Sequence, residues 1–135
     1  MQTEMPDPRR VAHAYRLATV ENAPPIKIVR LLYEGAIRFL DRAVGANPED
    51  AHSGFPLACS RADAIVNELR CSLDHTVQPA TSRDLDRLYL FVQDRIAKAV
   101  IDRTSESLPA ARKVMATLLE GWMQVEVEAA APAQP

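Results

Sequence analysis

Glycine is scarce in this chain, with four in 135 residues. Neither Gly-x-Ser-x-Gly nor a glycine-rich phosphate loop occurs, which removes the nucleophile-elbow hydrolases and the common nucleotide cradles. Aromatic residues are also few, at 5%. They are not interleaved with basic residues, and no block of one charge sign occurs, so a nucleic-acid partner is not expected. Net charge is only −2. No apolar run approaches the ~20 residues that span a bilayer. The N-terminal stretch, with Glu4, Asp7, Arg9 and Arg10, lacks the apolar core of a secretory signal, and the expected compartment is the cytoplasm. The two cysteines, Cys59 and Cys71, fall twelve residues apart on one expected helix. That is ~18 Å of helix axis, beyond disulfide reach, so both are expected to be reduced and to pack as small residues.

Catalytic groupings are equally sparse. His13, His52 and His75 are scattered, and no Ser–His–Asp arrangement follows from their order. A di-iron bundle needs carboxylates on two helices and two Glu-x-x-His motifs. The single match, Glu49 to His52, lies in a Pro/Gly-bounded loop. The expectation is no enzyme, no metal and no cofactor.

What the chain does have is helical periodicity punctuated by ten prolines. Hydrophobic residues make up 47%, enough for one buried core at this length. Pro24 and Pro25 open a first long helix that Asn22 can cap, and Gly45, Asn47 and Pro48 close it. A second helix is expected over about Leu57–Leu73, with Ala58, Ala62, Ile65, Leu69 and Leu73 on one face. Thr81 with Asp84 resembles a capping box for a third helix, which carries Leu85, Leu88, Val92, Ile96 and Ala99. Ser105 or Ser107 can cap a fourth, where Leu108, Ala111, Met115, Leu118, Trp122 and Val125 keep the three–four alternation of bundle packing. Val11–Leu17 can form a short helix before these. The spacing therefore predicts an all-α chain: an antiparallel four-helix bundle with a short N-terminal helical segment. Residues 1–10 and 126–135 are expected to be disordered, flanking a single domain over 11–125.

Two helices carry more apolar surface than a bundle seam requires. In the first, the charged residues Lys27, Arg30, Glu34, Arg38, Asp41 and Arg42 span an arc of roughly 120°. Nearly all the rest of its circumference is apolar. In the third, Tyr89, Leu90 and Phe91 widen the face. Surplus of this kind is either core or an exposed groove for a peptide.

The residues carrying a family resemblance are Tyr15, then Asn22-Ala23-Pro24-Pro25, and above all Leu31-Leu32-Tyr33-Glu34-Gly35-Ala36-Ile37-Arg38-Phe39-Leu40. Arg61-Ala62-Asp63-Ala64-Ile65-Val66-Asn67-Glu68-Leu69, Ser72-Leu73-Asp74, Leu85-Asp86-Arg87-Leu88-Tyr89 and Trp122 follow in order. Over roughly residues 11 to 125 the chain resembles FliS, the flagellin-specific export chaperones. Asn22 stands where the family has threonine, Asp84 where asparagine precedes the leucine, and Val100 where asparagine often follows alanine.

The resemblance implies a bundle of four long helices after a small N-terminal segment. It also implies a client, the disordered C-terminal region of flagellin, wrapped in hydrophobic clefts so that it neither polymerises early nor loses export competence. A flagellar export gate component is the second implied partner, and the chain would be a monomer or weak dimer. The expected client-binding residues are Ile65, Leu69 and Leu73 on the second helix, Leu88, Tyr89 and Val92 on the third, and Tyr15 over one end of the groove. Tyr89 is the leading contact, since a tyrosine hydroxyl favours a wet edge. The alternatives are a bundle-type adaptor for another secreted client, and a structural protein that oligomerises through its apolar face.

Overall fold

The computed structural model describes residues 5–19 and 26–130, which form five helices and, among the described residues, no strand. These are α1 (Pro8–Thr19), α2 (Ile26–Val44), α3 (Phe55–Cys71), α4 (Pro79–Asp102) and α5 (Leu108–Ala130). The expected cap at Asn22 and the proline pair Pro24–Pro25 lie outside the described residues. α1 begins at Pro8, earlier than the expected Val11, and α5 continues to Ala130.

The helices α2 to α5 form the bundle, each packing on two neighbours, with α1 laid against α5 and α4. Cross-helix pairs fix the antiparallel sense. Arg112 at the start of α5 bonds Asp41 near the end of α2, whereas Trp122 further along α5 reaches back to Tyr33. Likewise Arg70 at the end of α3 bonds Asp86 near the start of α4, and Asp63 accepts from Gln93. The three–four stripe of α5 is the core: Leu108, Ala111, Met115, Leu118, Trp122 and Val125 are all buried.

Helix ends differ from the expectation in instructive ways. α3 starts at Phe55, after Gly54 in the left-handed region (φ 91°), with Pro56 in its first turn. α4 starts at Pro79, not at Thr81, because proline has the helical φ already set at the first position. Its capping residue is Gln78, itself left-handed at φ 43°. The Ser82 hydroxyl donates back to the Asp74 and Val77 carbonyls and ties the α3–α4 turn to α4. Ser107 precedes α5, but its hydroxyl donates to the Arg95 carbonyl and so fastens α5 to α4. Cys59 is buried, and burial pushes its thiol up to about 11. Cys71 departs from the expected packing role and is exposed.

Candidate functional site

At the end of the bundle where α1 docks, a cleft of about 220 Å³ opens between α1, α2, the end of α3 and α4. Its walls are mostly apolar: Leu69 and Leu73 from α3, Ile28 and Leu32 from α2, and Val77 from the α3–α4 turn. Tyr15 and Thr19 close one side, Tyr89 and Trp122 lie at the bottom, and Glu68 and Asp74 bring the carboxylates. Ile28, 52% exposed, leads out of the cleft to Leu31, 56% exposed, one helical turn further along α2.

α1 holds its side of the cleft through contacts on two elements, the α3–α4 turn and α5. The Tyr15 hydroxyl accepts the Asp74 backbone N–H at 2.9 Å. The Arg16 guanidinium donates to the Trp122 carbonyl and lies 5.5 Å from the centre of the Trp122 ring. Arg9 pairs with Glu120. The Tyr15 ring meets Trp122 edge-on at 6.3 Å, a favourable aromatic geometry. Close approach of α1 and α5 depends on Gly121, whose Cα faces the Arg9 carbonyl and Ala12.

Beneath the cleft runs a buried polar chain. Trp122 Nε1 donates to the Tyr33 hydroxyl at 2.6 Å, and the Tyr33 and Tyr89 hydroxyls lie 2.6 Å apart. Burial raises the ionisation of Tyr33 and Tyr89 far above the ordinary tyrosine range, and raises that of Tyr15 as well. Asp74 moves the other way. The Thr76 hydroxyl and backbone N–H both donate to its carboxylate and hold it below the ordinary aspartate value of 3.8.

The seven expected client residues separate into three groups. Tyr15, Leu69, Leu73 and Tyr89 line the one cleft. Ile65 is half-buried on the α2–α3 seam, where the missing side chain of Gly35 makes room for it. Leu88 and Val92 are fully enclosed in the core and reach no surface. Tyr89 needs a correction too: it is not an edge residue but 2% exposed, at the bottom of the cleft, with its hydroxyl 2.6 Å from that of Tyr33, which in turn accepts the Trp122 N–H. Sequence reasoning did not place Ile28, Leu32, Val77 or Asp74 in the groove. The wide apolar arc of α2 was a signal for the first two; nothing local marks the others.

Two further surfaces lie towards the opposite end. The Phe39 ring is surrounded by the guanidiniums of Arg38, Arg42 and Arg61 at 5.8, 5.2 and 5.9 Å. Leu57, Val100 and Ile101 are exposed near the start of α3 and the end of α4, Ile101 by 78%. Among the described residues no group of three His, Cys, Asp or Glu is placed to hold a metal ion, and no helix is long and apolar enough to cross a membrane.

The described fold can be set beside known proteins. The flagellar secretion chaperone FliSB of Pseudomonas aeruginosa is 32% identical over 108 residues, which is 78% of this chain and 83% of that relative. The family described as flagellar protein FliS matches residues 9–129. That match runs from the first turn of α1 to the last turn of α5 and takes in every helix that shapes the cleft, so the chain belongs to the FliS family.

Proposed function

We propose that this chain is a flagellar export chaperone whose client is the C-terminal region of flagellin. The observation that carries the reading is the apolar cleft between α1, α2, α3 and α4, continued outside by the exposed Ile28 and Leu31. The family and the name of the Pseudomonas relative support the flagellar and chaperone parts. A disordered client spends ordering entropy when it binds. Burial of its apolar side chains returns ~25 cal/mol per Å² before that cost. The balance is a moderate affinity spread over a long contact, which suits a carrier that must let go. Tyr15, held by a single hydrogen bond to the α3–α4 turn, is displaced or repacked when the client enters. The loaded complex stays in the cytoplasm until it docks at the export gate. Neither step calls for catalysis or a nucleotide.

Calorimetry of the full chain with the cognate flagellin C-terminal peptide tests this. Wild type binds, and Leu73→Asp weakens binding at least tenfold because it sets a carboxylate in the apolar wall. Leu73 is only half-buried, so the variant stays folded by circular dichroism. Failure of the wild-type chain to bind the peptide rejects flagellin as the client.

A second reading rests on Leu57, Val100 and the 78% exposed Ile101. A protein that oligomerises through an apolar face would bury these three in a tight dimer without any client. Light scattering separates the two readings: a monomer at micromolar concentration excludes the oligomer.

A further inference from the structure

The polar chain beneath the cleft does not close. Three donor hydrogens meet there, the Trp122 N–H and the hydroxyls of Tyr33 and Tyr89, and two hydrogen bonds consume two of them. Whichever tyrosine donates to the other, one O–H is left without an acceptor among the described residues. A hydroxyl that accepts from an indole N–H is polarised to donate onward, so the favoured direction runs from Trp122 to Tyr33 to Tyr89. The leftover hydrogen then sits on Tyr89. Tyr33 is fully buried and does not border the cleft, whereas Tyr89 does. A buried donor needs an acceptor, and at a residue that borders the cleft the acceptor comes from solvent or from whatever displaces it.

We propose that the Tyr89 hydroxyl is a specificity element of the cleft, and that it donates to a backbone carbonyl oxygen of an extended client segment. This rests on the client reading given above. The apolar walls accept any side chain of suitable size, so they discriminate weakly. The lone donor at the bottom rejects an occupant that brings no acceptor, because it would then be sealed away dry. An interior helical turn has its carbonyls spent on its own amides. The C-terminal end of a helix has free carbonyls, but its negative dipole end would face Glu68 and Asp74. An extended segment carries both groups needed, a free carbonyl for Tyr89 and free N–H groups for the two carboxylates.

The test pairs Tyr89→Phe with Tyr33→Phe, each measured by calorimetry against the cognate flagellin C-terminal peptide and by thermal melting. Tyr33→Phe strips the Trp122 N–H of its acceptor and so lowers the melting temperature more than Tyr89→Phe does. It leaves the Tyr89 hydroxyl in place, and affinity stays within about twofold. Tyr89→Phe removes the donor and weakens binding about three- to tenfold, the range of one neutral hydrogen bond. This crossed pattern is the expected result. Unchanged affinity in Tyr89→Phe, or affinity losses that follow the melting temperatures of the two variants, overturns the proposal while the client reading stands. Absence of binding in the wild type overturns both.

Discussion

Gly121→Ala sets two effects of opposite sign against each other on two separate observables. Gly121 lies within α5, where alanine is favoured over glycine by about 1 kcal/mol. A Cβ there would meet the Arg9 carbonyl oxygen at 2.5 Å and the Ala12 Cβ at 2.9 Å. Backbone cannot yield as a side-chain tip does, so α1 must retreat by about 1 Å to reach ordinary contact. Overpacking of this kind costs about 1–3 kcal/mol. The cost falls on α1 because α1 lies outside the bundle, and its retreat strains the Tyr15–Asp74 and Arg16–Trp122 hydrogen bonds together. The expected outcome is a melting temperature near that of wild type, while amide exchange in residues 11–19 speeds up about tenfold or more. Gly35→Ala is the control. Its new Cβ meets only flexible side-chain tips, Ile65 Cδ1 at 3.3 Å and Arg38 Nη2 at 3.7 Å, so propensity wins and the melting temperature rises with α1 exchange unchanged. If Gly121→Ala also raises the melting temperature and leaves α1 fully protected, then α1 does not dock as described.

Leu118 is fully buried in the α5 stripe. Leu118→Ala should cost about 2–5 kcal/mol as a core cavity, roughly a ten-degree drop in melting temperature, with peptide affinity retained once the variant is folded. A drop of only a degree or two would contradict that packing. High pH should unfold the protein. All three tyrosines of the chain have their ionisation raised in the native state. Above the ordinary value of 10.0 the unfolded chain therefore gives up protons that the native chain keeps. Stability then falls as pH rises, by about 1.4 kcal/mol per pH unit for each fully buried tyrosine. Tyrosinate absorbance should appear together with loss of helical circular dichroism; a smooth titration near pH 10 with the helices intact would refute the buried assignment.

The period of three and four residues made the bundle legible. Leu108 to Val125 repeat so regularly that the buried face of α5 followed from spacing, and Trp122 took its place as part of the core. The cleft was half legible. Leu69 and Leu73 extend the inward stripe of α3 to its last turn and beyond, where the helix runs out of neighbours and the stripe becomes a wall. Leu88 and Val92 carry the same spacing in mid-helix, where α4 is covered and the stripe stays core. Periodicity gives the face of a helix, but how far along the axis that face is covered is a tertiary property. Tyr89 shows a related limit. An isolated tyrosine reads as half-wet, and only contact with Tyr33, 56 positions away, turns it inward. The Gly121 crossing had a single local mark, a glycine in a helix with no turn nearby. The left-handed caps at Gln78 and Arg103 use residues that give no hint of that conformation.

Trp122 is the sole indole in the chain. Its surroundings bring together a guanidinium over the ring, the edge of Tyr15 and a phenolic acceptor on its nitrogen. The molecule thus contains its own optical probe at the junction of α1, the cleft and the core. Withdrawal of α1 would strip the cation and the ring edge but leave the nitrogen bonded, altering quenching more than emission colour. Melting of the bundle would hydrate the indole and shift emission to the red. Movement of α1 and loss of structure would then leave different spectral signatures, readable with no added dye.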